Sequence, residues 1–303
     1  MDRKKDDDYR PENLTKGQRV SRFIWNPRTK EFLGRTAKSW LQITIFYIVL
    51  YAFLAGFFSA LLIIFFQTVD NHQPKWKLDD SLIGNSPGMG YRPMHPNAEI
   101  TSISYTPSNE ENVNFWGNVI TDFLKPYDDE SDTIIDCDYG TELNENKTCR
   151  FTVKLGDCQK DQYGFGSNKP CMFFKLNKVF NWLPEPYQMS EIQENAMGMP
   201  ANLTQMILGM KPQEANSNVW VSCEAAEPHA DVTLTYDGHP GFPNYYFPFL
   251  NQKSYHSPLV VMQIHNMPTG ALVRINCRLW AKNISYDRQR RTGGATFEIQ
   301  SNA

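Results

Sequence analysis

From Ser39 to Val69 the chain carries no charged side chain, and inside that window Leu41–Phe66 (LQITIFYIVLYAFLAGFFSALLIIFF) is almost wholly apolar. A helix needs about 20 such residues to cross a hydrocarbon core roughly 30 Å thick. A cleaved signal sequence has a shorter apolar stretch of roughly 7–15 residues. The pattern therefore predicts a transmembrane helix over 39–69, with a short tail at 1–38 and the rest of the chain beyond.

Helical periodicity sorts the span into two stripes. Tyr47, Tyr51, Leu54 and Phe58 fall within roughly 60° of one another at 100° per residue. Ala52, Ala55, Gly56, Ser59 and Ala60 form a second, small-residue stripe about 120° away. The spacing Ala52-x-x-x-Gly56-x-x-x-Ala60 permits a close helix–helix approach and is equally compatible with a face turned to lipid. A phenolic hydroxyl in hydrocarbon calls for a partner, so the tyrosine stripe is expected to face protein.

After the span the period changes. Residues 70–130 are rich in Pro, Gly, Asn and Ser and read as a stalk with lead-in loops. From 131 to 303 short strand-like runs dominate. Val219, Val221 and Cys223 alternate with Trp220, Ser222 and Glu224, and Val273, Ile275, Cys277 and Leu279 alternate with Arg274, Asn276, Arg278 and Trp280. Thr133–Ile135, Arg150–Leu155, Met172–Leu176, Val232–Tyr236, Leu259–His265 and Thr296–Gln300 are further expected strands. Residues 184–216 show no strand pattern, and Met197, Met199, Met206 and Met210 suggest an insert of loop and short helix. The expected fold is a single transmembrane helix plus a mainly-β domain, an immunoglobulin-like sandwich with insertions.

Charge and cysteine add orientation. The twenty residues before the span hold Arg19, Arg22, Arg28, Lys30, Arg35 and Lys38, whereas those after Val69 hold only Lys75 and Lys77. The positive-inside rule then places 1–38 in the cytosol and 70–303 outside. All six cysteines, Cys137, Cys149, Cys158, Cys171, Cys223 and Cys277, follow the span, as an oxidising compartment requires. Six cysteines allow 15 pairings. Short separations favour Cys137–Cys149 and Cys158–Cys171, leaving Cys223–Cys277 as an expected bridge between sheets. An antibody-type domain has Tyr two residues before its second cysteine, and Ile275 stands there instead. Sequons at Asn146, Asn202 and Asn283 lie on the same side and are expected glycosylation sites; that at Asn13 lies in the tail and is expected to stay bare. With a formal net charge of -3, nothing points to nucleic acid.

Catalytic patterns are sparse. The six histidines form no metal-binding spacing, and no nucleophile elbow or phosphate loop occurs. Gly164-Phe-Gly166 reads as a turn. Ile134-Ile-Asp136-Cys137-Asp138 looks like the strand-then-DxD signature of Golgi glycosyltransferases, in which two carboxylates hold a hard cation. Its central cysteine is expected in a disulfide, which weighs against that enzyme.

Six ordered segments carry a family resemblance. Phe23-Ile-Trp-Asn26 with Glu31-Phe-Leu-Gly-Arg-Thr-Ala-Lys-Ser-Trp40, Ile45-Phe-Tyr-Ile-Val-Leu-Tyr51 with Leu54-Ala-Gly56, and Ser86-Pro-Gly-Met-Gly90 are the first three. Lys169-Pro-Cys171 with Lys175-Leu-Asn-Lys178, Tyr245-Tyr-Phe-Pro-Phe249, and Asn276-Cys277 to Asn283-Ile284 complete them. Together they resemble the β subunits of the Na⁺/K⁺ and H⁺/K⁺ pumps, although Phe249-Leu-Asn251 stands where the family commonly has Tyr-Tyr-Gly.

The resemblance implies a non-catalytic plasma-membrane protein without a cofactor, whose partners are the lipid bilayer, a catalytic α subunit and a small single-span regulatory subunit. It implies that Tyr47, Tyr51, Leu54, Gly56 and Phe58 meet the α subunit in the membrane. Tyr245, Tyr246 and Phe247 are implied as contacts outside it, against a residue-level reading that favours core. An H⁺/K⁺ pump β subunit and a cell-adhesion glycoprotein are the alternatives.

Overall fold

The computed structural model describes residues 15–27, 29–159, 162–194, 198–226, 231–290 and 292–303. Asn13, Arg28 and Met197 therefore lie outside the described residues. The chain divides after Asp70 into two compact units.

The first unit begins with α1 (Lys16–Ile24), followed by β1 (Trp25–Asn26), β2 (Glu31–Phe32) and β3 (Arg35–Thr36) in one antiparallel ribbon. Leu33 and Gly34 turn the chain with φ of 51° and 72°, a conformation that glycine adopts without a Cβ penalty. α2 (Ala37–Gln67) is the predicted span: Thr36 caps it by accepting from the Ser39 N–H at 3.4 Å. At 31 residues it is about 46 Å long, more than a hydrocarbon core requires.

The second unit is a sandwich. Its strands are β4 (Met89–Arg92), β5 (Ser102–Tyr105), β8 (Cys171–Leu176), β9 (Asn218–Ala225), β10 (Thr233–Tyr236), β11 (Gly241–Pro243), β12 (Val260–His265), β13 (Leu272–Trp280) and β14 (Gly294–Ser301). A small separate ribbon pairs β6 (Ile134–Ile135) with β7 (Thr148–Cys149). One sheet has the order β10-β12-β8-β4 and the other β11-β9-β13-β14-β5, with β14 and β5 parallel. Because side chains alternate along a strand, Tyr91 and Phe174 of the first sheet reach Phe297 of the second, at ring distances of 4.9 and 6.1 Å. Val219, Val221, Val260, Met262, Val273, Ile275 and Ile299 fill the rest of that core.

The outer faces are covered too. α3 (Glu110–Leu124) buries Val113, Trp116 and Ile120 and sets Phe123 against Phe173, on the far side of β8 from Phe174. Helices α4 (Met189–Gln193), α5 (Ala201–Leu208) and α6 (Pro212–Ala215) form the expected insert; their Ile192, Leu203, Ile207 and Ala215, with Met199 just before α5, cluster with Trp220 and Trp280.

Three expectations need correction. Residues 70–130 are not merely stalk: β4 and β5 complete both sheets, and Met89, Ile103, Tyr105 and Trp116 are core. Their Pro- and Gly-rich flanks hid two four-residue strands. Arg150–Leu155 forms no strand but a connection lying against the core through Phe151 and Val153. Finally, Cys223 and Cys277 are in direct register on adjacent strands of a single sheet, with Cα atoms 4.0 Å apart. The bridge joins neighbours within a sheet, because directly opposed antiparallel residues come closer than residues on facing sheets. The other disulfides are Cys137–Cys149 and Cys158–Cys171. Gly164 is a turn residue at φ 79°, and a Cβ there would lie 1.9 Å from the Lys169 carbonyl oxygen.

Candidate partner-docking site

The α2 stripe survives in three dimensions. Tyr47 and Tyr51, one turn apart, stack with ring centroids 6.1 Å apart and planes 25° apart. Leu54 and Phe58 continue that face, and all four side chains are exposed. A Cβ built on Gly56 meets nothing within 4 Å, so the small-residue stripe is open as well. Among the described residues, α2 is the one helix long and apolar enough to cross a membrane. In such a helix the backbone is satisfied internally, and side chains alone decide what pairs with it.

The aromatic segment after β11 is placed differently. Tyr246 and Phe247 are 7 % and 9 % exposed. Tyr246 donates its hydroxyl to the Arg150 carbonyl at 3.0 Å, and Phe247 meets the Trp182 ring edge-on at 5.5 Å. Burial pushes the Tyr246 phenol far above its ordinary range. Both side chains therefore sit in this chain's own core; Tyr245 alone keeps a half-exposed edge, packed on Tyr246 at 4.7 Å. Nearby, Lys178 lies over Phe249 and Tyr255 at 5.0 and 5.2 Å, and burial lowers its pKa. That cation–aromatic arrangement was not visible in sequence spacing, because the residues lie some seventy positions apart.

The carboxylates of the acidic motif are engaged in other contacts. Cys137 is bonded to Cys149, the Asp136 carboxylate pairs with Arg150 at 3.1 Å, and the Asp138 carboxylate accepts from the Tyr139 N–H at 2.7 Å. No group of three or more metal-ligating side chains occurs among the described residues.

The three sequons differ in setting. Asn146 is exposed beside buried Thr148, and Asn202 is exposed near the start of α5. Asn283 is half-buried, and its amide grips the 183–185 segment at two points: Nδ2 donates to the Leu183 carbonyl at 2.7 Å and Oδ1 accepts from the Glu185 N–H at 3.1 Å.

Comparison with known proteins agrees with this architecture. The family model described as "Sodium / potassium ATPase beta chain" matches residues 10–297. Sodium/potassium-transporting ATPase subunit beta-1 of Drosophila melanogaster is 39 % identical over 293 residues, covering 94 % of this chain and 93 % of that one. Subunit beta-2 of the same organism is 34 % identical, covering 96 % and 94 %. Subunit beta-2 of Homo sapiens is 29 % identical, covering 92 % and 93 %. One apolar helix near the amino terminus, a mostly-β remainder with three disulfides and a match across nearly the whole length lead to one conclusion: the chain belongs to the sodium/potassium ATPase beta chain family.

Proposed function

We propose that this chain is the non-catalytic β subunit of a Na⁺/K⁺ pump: it pairs with a catalytic α subunit, supports that subunit's folding and export, and tunes its handling of extracellular K⁺. The family match carries the reading. The exposed Tyr47–Tyr51 stack supports the membrane contact, since two phenol hydroxyls in hydrocarbon need acceptors that α2 itself does not supply. Tyr47, Tyr51, Leu54 and Phe58 are proposed to face the α subunit, with Gly56 on the adjoining stripe. Individual hydrogen bonds in membranes average only about 0.6 kcal/mol. A second contact outside the bilayer, tethered by the same chain, then raises overall avidity.

The amino terminus is proposed to be cytosolic and the sandwich extracellular at the plasma membrane, as flanking charge and disulfides favour. Co-expression with an α subunit tests the reading. The tagged chain should co-purify with α and raise K⁺-dependent ATPase activity at the cell surface. Tyr47→Ala/Tyr51→Ala should lower recovery of the pair while the disulfide-bonded domain stays folded. Export of the chain alone, with no α bound and no gain in ATPase, would refute it.

A further inference from the structure

One stretch of sheet edge in the sandwich is left without a neighbour. β5 meets β14 only over residues 298–301, so among the described residues no strand pairs with the outer side of 294–297. A turn closed by the Ile100 N–H on the Asn97 carbonyl at 3.1 Å takes the preceding chain away before it can extend the ladder. The inner side of β14 shows which backbone groups are left over. The Leu279 N–H donates to the Gly293 carbonyl at 2.9 Å, and the register continues with Arg278 opposite Gly294. Opposed residues of an antiparallel pair alternate between bonded and unbonded. Ala295 and Phe297 therefore bond to β13, while the N–H and C=O groups of Gly294 and Thr296 point to the open edge.

That edge opens into a groove of about 710 Å³. One side of the groove is apolar: Met89 and Tyr91 of the facing sheet lie there with Ala295 and Phe297. Met94 and Ile100 line it as well and are 45 and 44 % exposed. Because side chains alternate along a strand, Arg274, Thr296 and Glu298 stand on the opposite side, away from the sandwich core. The Arg274 guanidinium is shared with Glu298 at 2.6 Å. Arg288, exposed, is a second cation in the groove, and Glu298 is its one carboxylate among the described residues. The polar side is therefore net positive. An open strand edge is a template for an extended chain, and here its two sides ask for different side chains.

We propose that the 294–297 edge of β14 binds, by strand addition, an extended segment of a partner protein in which apolar and acidic side chains alternate. Its backbone pairs with Gly294 and Thr296, where an upstream continuation of β5 would have lain. Its apolar side chains pack towards Met89, Tyr91 and Ala295, and its carboxylates face Arg274 and Arg288. Main-chain hydrogen bonds supply the affinity and the alternating side chains the specificity. At roughly 3.3 Å per residue the open edge is about 13 Å long, so a short segment fills it. The sandwich alone builds this site, which stands whether or not α2 pairs with an α subunit.

The test uses the full chain in detergent micelles and a short fluorescent peptide of alternating valine and glutamate. That peptide should bind, and a valine–lysine counterpart should bind at least about tenfold more weakly. N-methylation of the alternate amides that face β14 should lower affinity about tenfold or more. Hydrogen exchange at single amides gives a second readout. In the free chain the Thr296 amide should exchange fast and those of Ala295 and Phe297 slowly, and the valine–glutamate peptide should slow Thr296 at least about tenfold. Thr296→Pro removes a donor that faces away from β13, a change an edge position tolerates, and should prevent binding. Arg288→Gln, at an exposed side chain, should weaken it about fivefold without touching the sheet. Failure of the valine–glutamate peptide to bind overturns the proposal, as does equal binding of the N-methylated or lysine peptide. So does a Thr296 amide already slow in the free chain, or one slowed merely by concentrating the chain, which would make the occupant a second copy.

Discussion

Trp220 and Trp280 stand directly opposite each other on β9 and β13, on the face of the sheet turned away from the sandwich core. Their indoles are 0 % and 3 % exposed, under the α4–α6 insert. Trp220 donates to the Ala215 carbonyl at 3.2 Å and Trp280 to the Ser222 hydroxyl at 2.8 Å, so each polar edge is satisfied as burial demands. A Cβ at Gly241 would come within 3.0 Å of the Trp220 ring, so the neighbouring strand must be bare at that point.

Trp220→Ala is therefore expected to cost about 3–5 kcal/mol, and to speed proteolysis within 189–215. Denaturant unfolding and limited proteolysis of the detergent-solubilised chain would measure both. A loss below about 1 kcal/mol would show that the insert is not anchored there.

The disulfides should rank by loop length. Cys223–Cys277 closes a separation of 54 residues and Cys158–Cys171 one of 13. Restricting the unfolded chain is then worth about 4 and about 3 kcal/mol, respectively. Replacing each pair by serine and comparing unfolding midpoints should give the larger loss for Cys223/Cys277. The reverse order would mean that native-state effects outweigh chain entropy.

Asn283→Gln should destabilise the fold by about 1–3 kcal/mol, because the Leu183 carbonyl and the Glu185 N–H lose their partner. Asn146→Gln should leave an unglycosylated chain within about 0.5 kcal/mol of the parent, since that side chain is exposed. Thermal unfolding after enzymatic deglycosylation separates the two effects. Glycan shifts on gels, lost one sequon at a time, report occupancy.

His256 is 4 % exposed, and neither ring nitrogen has a hydrogen-bond partner of good geometry among the described residues. Burial pulls its pKa below the ordinary value near 6.5. The Pro126 carbonyl and Asp129 oppose that shift, whereas Arg150 and Lys178 add to it. The unfolded imidazole takes up a proton near pH 6.5 while the folded one remains neutral, so unfolding binds protons on acidification. Stability is thus fully present above about pH 6.5 and declines below it. Melting temperatures between pH 7.5 and pH 5 should fall less steeply in His256→Phe, which keeps the ring contact with Tyr127 at 5.4 Å. Equal slopes would assign the acid sensitivity to other groups.

The span, the β character of the remainder and the grouping of cysteines beyond the span were legible in the residue order alone. Each rests on a pattern whose partner is either the solvent or an immediate neighbour. An uncharged run from Ser39 to Val69 needs only a bilayer, and alternation along β9 and β13 needs only one apolar side. Tertiary structure decided which strands are neighbours, and so turned Cys223–Cys277 from an expected link between sheets into a rung within one. It also drew β4, β5 and α3 out of a stretch that reads as stalk, because four-residue strands carry too little period to be seen until their partners are fixed. The outer-face tryptophans and the Tyr246–Phe247 pair became core for the same reason: burial of an outward-pointing side chain depends on what a distant segment lays over it.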